Sequence, residues 1–432
     1  MAKERKLEDF KYDAERCIGC GGCRWVDHIY MSGVKYGQRC PSIQRYLFLD
    51  HQAAGRLKIA NAIMEGRLEY SPYLLETIYQ CNLCGACDVG CKRNLDLEVL
   101  SVLELLRVKA VEDGKGPMPE HKKLCKNITS KKNRYGASQK ARFRWMKENW
   151  ADRSAKTNSS SELLYFAGCA SSFSKKNLAR STAELLSKIG IDFFVLNEAG
   201  SQEWCCGHPL IVTGQINEAK NIIEHNLQSI KEAGAKIVLT DCAECYKTIK
   251  VDYPKIMGIS TEDLGFKVMH LVELIDDLLE KNEIEFNKEL KMKVTYHDPC
   301  NLGRLSEPWV HWEGERGKYG VLDPPKVYRR GTHGIYDPPR NILNSLPGIE
   351  FVEAVRFKEN AWCCGAGGGV KEAFYDFSMW TACKRLEEIE ETGAEAIVTA
   401  CPYCEEIFEQ ATEKTGRPLK IFDIVELINL AL

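Results

Sequence analysis

No stretch of this 432-residue chain approaches the roughly 20 unbroken apolar residues of a membrane-spanning helix. The most apolar segment, FDIVELINLAL at the C-terminus, is interrupted by Asp423, Glu426 and Asn429. Direct membrane insertion is therefore not expected, and any attachment would come from a partner. The opening MAKERKLEDF has no apolar centre, which argues against a secretory leader and points to the cytoplasm. An excess of either charge is missing too. With 59 Lys and Arg against 61 Asp and Glu, the formal charge of −2 is too small to steer nucleic acid or an anionic membrane. Nucleotide loops are also lacking. GAGGG at 365–369 comes nearest, but Val370 stands where G-x-G-x-x-G needs its last glycine, and no flavin or nicotinamide motif occurs elsewhere.

What the chain has is cysteine: 20 of them. In a reducing compartment thiols bind metals or do redox chemistry instead of forming structural disulfides. All but Cys125 and Cys383 fall into clusters with repeating spacing, and Cys383, in the helical stretch FSMWTACKRL, reads as a buried core thiol. Near the N-terminus Cys17, Cys20 and Cys23 are followed by Cys40-Pro41, and Cys81, Cys84 and Cys87 are followed by Cys91. Triplets spaced this way, eased by Gly19, Gly21, Gly22 and Gly85, can wrap a cube of iron and sulfide. Two such runs are the mark of paired [4Fe–4S] clusters, in which the fourth Cys crosses to the other cluster. Cys17, Cys20, Cys23 and Cys91 are accordingly assigned to one cubane, and Cys81, Cys84, Cys87 and Cys40 to the other. Four thiolates also suit tetrahedral zinc, although zinc ribbons use pairs and not triplets.

The expected fold is α/β: an N-terminal helical ferredoxin-like domain for two clusters (1–125), then two duplicated α/β cysteine-rich domains with parallel sheets (162–285 and 286–432). Between them lies a basic linker (126–161). Twelve Lys or Arg fall between Lys122 and Lys156, which suits a solvated helix or a docking surface for an acidic partner. Beyond Glu162, strands such as LLYFAG, IDFFVL, AKIVLTDC, KVTYHDPC, IEFVEA and AEAIVTAC alternate with helical stretches, as βαβ units do. AKIVLTDCAECYKTI and AEAIVTACPYCEEIF share strand, Cys-x-x-Cys and helix, which points to an internal duplication.

Each half carries five motif cysteines. The first has Cys169, Cys205-Cys206-Gly207, Cys242 and Cys245; the second has Cys300, Cys363-Cys364-Gly365, Cys401 and Cys404. Groups at the carboxyl ends of neighbouring parallel strands converge on one crevice, so five thiols should meet in each half, one more than a cubane or a zinc ion takes. The glycine after each Cys-Cys lets the second sulfur turn back toward the first. His208, His297 and Asp298 stand next to these motifs as proton donors or as orienting hydrogen-bond partners. Trp204 and Trp362 are placed to shield the sites from water.

The pattern Cys-xn-Cys-Cys-Gly-xn-Cys-x-x-Cys, present twice behind the paired cluster runs, resembles the catalytic iron–sulfur subunit of heterodisulfide reductases. YFAGC, YHDPCNLGR, YDPPRNIL and WCCGAGGG carry the likeness, which covers nearly the whole chain. The resemblance implies a non-cubane [4Fe–4S] cluster on each set of five cysteines, Cys169, Cys205, Cys206, Cys242 and Cys245, and Cys300, Cys363, Cys364, Cys401 and Cys404. It implies an oxidoreductase that takes electrons through two cubanes to reduce or form a disulfide. Zinc in one half is the alternative ion. The implied partners are flavin-containing or electron-bifurcating subunits, or a membrane anchor, and the substrate a disulfide or thiol. Alternatives within the resemblance are a relay subunit of a bifurcating or acyl-CoA reductase complex, such as one serving benzoyl-CoA reductase, and a glycolate- or lactate-oxidase-type subunit. The segment 305–335 is an insertion expected to cover the second site or meet a partner.

Overall fold

In a computed structural model of the chain, the described residues are 5–26, 33–146, 161–198, 201–307, 312–326 and 331–432. The N-terminal region is helical: α1 (Lys11–Arg16), α2 (Pro41–Tyr46), α3 (Ala53–Met64), α4 (Pro72–Tyr79), α5 (Ala86–Lys92), α6 (Val99–Glu112) and α7 (Pro119–Lys131). Proline at the first position starts α2, α4 and α7, where its missing N–H costs no hydrogen bond. The Ser71 hydroxyl caps α4 by accepting from Leu74 N at 3.2 Å. Leu57, Ala60, Ile78, Leu103 and Leu106 form this region's core.

Two parallel sheets follow. In the first half, β1 (Leu163–Tyr165), β2 (Ile237–Thr240) and β3 (Lys267–His270) lie in that order. In the second, β4 (Met292–Tyr296), β5 (Ile349–Phe351), β6 (Ala396–Thr399) and β7 (Lys420–Asp423) are ordered β7-β6-β4-β5. The α/β reading and the parallel pairing therefore hold. IDFFVL, expected as a full strand, contributes a single parallel bridge, Phe194 to Leu164. Its side chains Phe193 to Leu196 are buried, and the backbone then leaves the sheet for the hairpin at Asn197–Glu198.

The duplication runs deeper than its cysteines. Each half ends on a strand whose last residue caps a helix. His270 Nδ1 accepts from Val272 N at 3.4 Å while Glu273 accepts from His270 N at 2.8 Å. Asp423 accepts from Val425 N at 3.0 Å while Glu426 accepts from Asp423 N at 3.1 Å. These are capping boxes at matching positions. The halves also exchange helices. The last helix of the first half, Leu271–Glu280, packs on Asp337–Ser345 of the second, and the last helix of the second, Ile424–Ala431, packs on Lys176–Lys188 of the first. Reciprocal contacts of this kind are what a pseudo-twofold pair of domains requires.

Arg107 on α6 joins all three regions. Its guanidinium donates to Cys81 O (2.6 Å) and Tyr79 O (3.1 Å), to Val212 O of the first half (2.7 Å) and to Gly368 O of the second (2.6 Å). The described residues of the insertion touch two places, one of them the turn after Cys300, where Ile335 N donates to Leu302 O at 3.1 Å. Residues 312–326 rest on the N-terminal region: Lys326 pairs with Asp96 (3.0 Å) and Glu98 (2.6 Å), and Arg316 stacks over Tyr12 at 4.0 Å. They reach there because their Lys and Arg side chains meet the acidic turn after Cys91 and the aromatic face of α1. The rest of the segment, 308–311 and 327–330, lies outside the described residues.

Candidate metal centres

Geometry groups the N-terminal cysteines as their spacing suggests. Cys23 lies within charge range of Cys17 and Cys20, and Cys91 within range of Cys23. Cys87 feels Cys40, Cys81 and Cys84, and these four line one cavity with Leu100 and Leu103. Helix α5 serves both groups, since Cys87 and Cys91 stand one turn apart on it. Burial, reinforced by neighbouring thiols, pushes Cys87 well up and Cys40 up to about 12. Cys84 goes the other way, lowered to about 5 by its contact with Cys363 and by Arg304, and a positive core would favour the thiolate form of the others. An all-thiol set around a cavity therefore fits an iron–sulfur cluster.

In the first half, Cys169 follows β1 and Cys242 follows β2, where Cys242 immediately precedes the helix Ala243–Lys247. In the second, Cys300 follows β4 and Cys401 follows β6, immediately before the helix Pro402–Thr415. The thiols then link in the same sequence in each half. Cys169 reaches Cys205, Cys205 reaches Cys206, Cys206 reaches Cys245 and Cys245 reaches Cys242, each within hydrogen-bonding range. Cys300, Cys363, Cys364, Cys404 and Cys401 repeat that chain. Two further contacts connect the groups: Cys84 with Cys363, and Cys401 with Cys242. The second half thus touches both the N-terminal cysteines and the first half. His297 joins it, its ring nitrogen lying within 4.8 Å of the Cys364 and Cys404 sulfurs.

The glycines of GAGGG have a packing reason that sequence reasoning missed. A Cβ on Gly368 would lie 2.6 Å from the Asn82 carbonyl carbon, and one on Gly365 2.4 Å from Ser378 O. Asn82 Nδ2 donates to Gly365 O at 2.9 Å, which seats this turn on the Cys81–Cys84 loop.

The basic segment also turns inward. Arg142 is fully buried, donating to Glu203 (2.6 Å) and Gly168 O (3.2 Å), with its other nitrogen 3.9 Å from the Cys169 sulfur. Glu203 in turn accepts from Ala167 N and Gly168 N, holding the FAGC turn; burial lifts its carboxyl to about 7 against the pull of Arg142. Arg134 spans the halves. It stacks over Tyr403 at 4.4 Å, meets Glu244 at 3.6 Å and pairs with Glu372. In the second half Arg304 donates to Cys84 O, Glu359 O and Ala361 O. Charge periodicity could not reveal these roles, since solvated and buried arginines look alike in sequence. Only the place of Arg304 in YHDPCNLGR carried a signal.

Of the proton-donor candidates, Asp298 is committed to Arg340 (2.8 and 3.0 Å) and Lys358 N (2.8 Å). His208 meets Thr248 at 3.1 Å, and burial together with Lys247 holds it well below the usual histidine range, hence neutral. Trp362 is buried, with Nε1 donating to Thr381 O at 3.0 Å, whereas Trp204 is half-buried and stacks on His225 at 3.5 Å. Cys383 is only half-buried, packed against the core from helix Tyr375–Glu390.

A 4Fe-4S dicluster domain profile matches residues 13–95, and the cysteine-rich CCG domain profile matches twice, at 163–250 and 324–409. A subunit of the dihydromethanophenazine:CoB–CoM heterodisulfide reductase of Methanosarcina acetivorans is 32% identical over 428 residues, covering 97% of this chain and 94% of that one. The chain belongs to the family of that heterodisulfide reductase subunit. It is an iron–sulfur oxidoreductase. More distant relatives are a subunit of the CoM/CoB fumarate reductase of Methanothermobacter marburgensis (29% identical, 82% of this chain and 62% of that one) and the EtfAB:quinone oxidoreductase of Syntrophomonas wolfei (26%, 98% and 59%). No helix among the described residues is long and apolar enough to cross a membrane.

Proposed function

We propose that this family member reduces or forms a disulfide between its two halves, with electrons passing through the N-terminal cysteines. The carrying observation is the contact of Cys242 with Cys401, which sets the two five-thiol groups side by side. In this reading Cys17, Cys20, Cys23 and Cys91, and Cys81, Cys84, Cys87 and Cys40, hold cubane clusters, and each group of five holds a non-cubane one. Bound there, the clusters supply one-electron transfer and iron able to take a sulfur ligand. Opening a disulfide consumes two electrons and two protons and yields two thiols, so paired groups suit the two sulfurs. The chain's own residues hold the halves in place: Arg134 spans them, and Arg107 fastens both to the Cys81 loop.

Redox subunits are the partners this reading requires, and a cytoplasmic location suits them. Anaerobic purification should return about sixteen irons per chain, from four clusters of four, and turnover of small disulfides with a reduced dye. Eight irons with stoichiometric zinc would overturn the four-cluster reading. Full iron with no disulfide turnover would favour a second reading, a relay subunit, which the likeness to the EtfAB:quinone oxidoreductase supports.

A further inference from the structure

The halves each bury one arginine beside their cysteines, but the two charges are not equivalent. Arg142 beside Cys169 is paired with Glu203 at 2.6 Å. Arg304 beside Cys84, Cys300 and Cys363 has no carboxylate partner among the described residues: it donates to three backbone carbonyls, at 2.6, 3.0 and 2.7 Å, and to the Cys84 side chain. The ionisable groups that face it are the thiols of Cys84, Cys300 and Cys363, drawn from two different sets, and the Tyr336 hydroxyl. A buried cation acts strongly at short range because little water screens it, and net charge and hydrogen bonding are among the factors that set the potential of an iron–sulfur cluster.

We propose that Arg304 is a positioning residue whose charge, paired with no carboxylate and shared by the Cys84 and Cys363 sites, raises the reduction potential of both. The first half, whose arginine is neutralised by Glu203, is left without this bias. The proposal rests on the reading that these thiols hold clusters. Its consequence is that electrons arriving from the first N-terminal group are drawn to the junction of the N-terminal region with the second half.

The test is a redox titration followed by electron paramagnetic resonance at pH 8, with iron and sulfide counted on the same anaerobic samples of full-length protein. Arg304→Gln should lower two of the potentials by at least a tenfold change in one-electron equilibrium, about 59 mV, while Arg304→Lys stays within threefold of the parent. Glu203→Gln, which leaves Arg142 uncompensated, should raise a first-half potential instead. Low iron in the parent protein would sink the cluster reading itself. Full iron with unmoved potentials in Arg304→Gln would overturn only the role of Arg304. So would a Lys variant that falls as far as the Gln variant, which would mark the side chain as a strut for three carbonyls. If Arg304→Gln fails to load iron, the Lys and Glu203→Gln variants decide: a shifted potential in the first, or an unshifted one in the second, overturns the proposal.

Discussion

At the scale of single residues, close backbone approach decides as much as sulfur chemistry. Gly368 has φ +66° and lies with its missing Cβ 2.6 Å from Asn82 backbone. Gly368→Ala must strain the left-handed backbone, at about 1–2 kcal/mol, and push the Cys81–Asn82 loop away, at about 1–3 kcal/mol. A lower urea midpoint together with iron lost from the protein would show that the turn seats that loop; unchanged iron would show that it does not. His121 gives a pH-dependent counterpart. Its Nε2 donates to Gly369 O at 2.8 Å, and burial lowers its affinity for protons. Because the folded form resists a proton that the unfolded chain accepts near 6.5, the contribution is complete above that pH and is lost as pH falls below it. The urea midpoint of the parent should therefore drop between pH 6.5 and 5.5. His121→Gln, which can still donate but does not titrate, should lose less over that window.

Elements are legible in the sequence where a period or a spacing defines them. Strands β1, β2, β4 and β6 are visible as apolar runs ending in cysteine, and the Cys-x-x-Cys helices follow. The strands β3 and β7 do not separate out, although KVMHLVEL and KIFDIVEL repeat one another, because four-residue strands running straight into helices blend the two periods. The basic segment is equally opaque. Helix Pro119–Lys131 buries only His121, Leu124 and Ile128, so its charge dominates its reading, and the burial of Arg142 depends on partners more than 20 residues away. The cysteine clusters are legible because thiol spacing is itself the chemistry. The duplicated caps are open to direct test. Asp423→Ala should cost about 1–2 kcal/mol, whereas Asp423→Asn keeps an acceptor for Val425 N and should cost less than half as much; equal losses in thermal denaturation would exclude capping as the role of Asp423.

For the whole molecule the decisive feature is how the duplicated thiol groups join one another and the N-terminal cysteines. The halves match in strand order, caps and the linkage of their thiols, yet it is the second half whose Cys363 meets the N-terminal Cys84, while Cys401 meets Cys242 of the first half. Symmetry would let either half be filled independently; under the proposed function these contacts instead lead to the first half by way of the second. Disrupting the second site should isolate the first, and the reverse should not hold. Cys206→Ala is therefore expected to lose about four irons and all disulfide turnover while its second-half signal is still reduced at the parental rate by a protein donor acting at the N-terminal region. Cys364→Ala should lose a similar amount of iron and turnover, but its surviving first-half signal should fill at least tenfold more slowly. Freeze-quench resonance spectra separate the two cases, and equal filling rates in both variants would mean that electrons reach the first half by a route other than Cys363, Cys401 and Cys242.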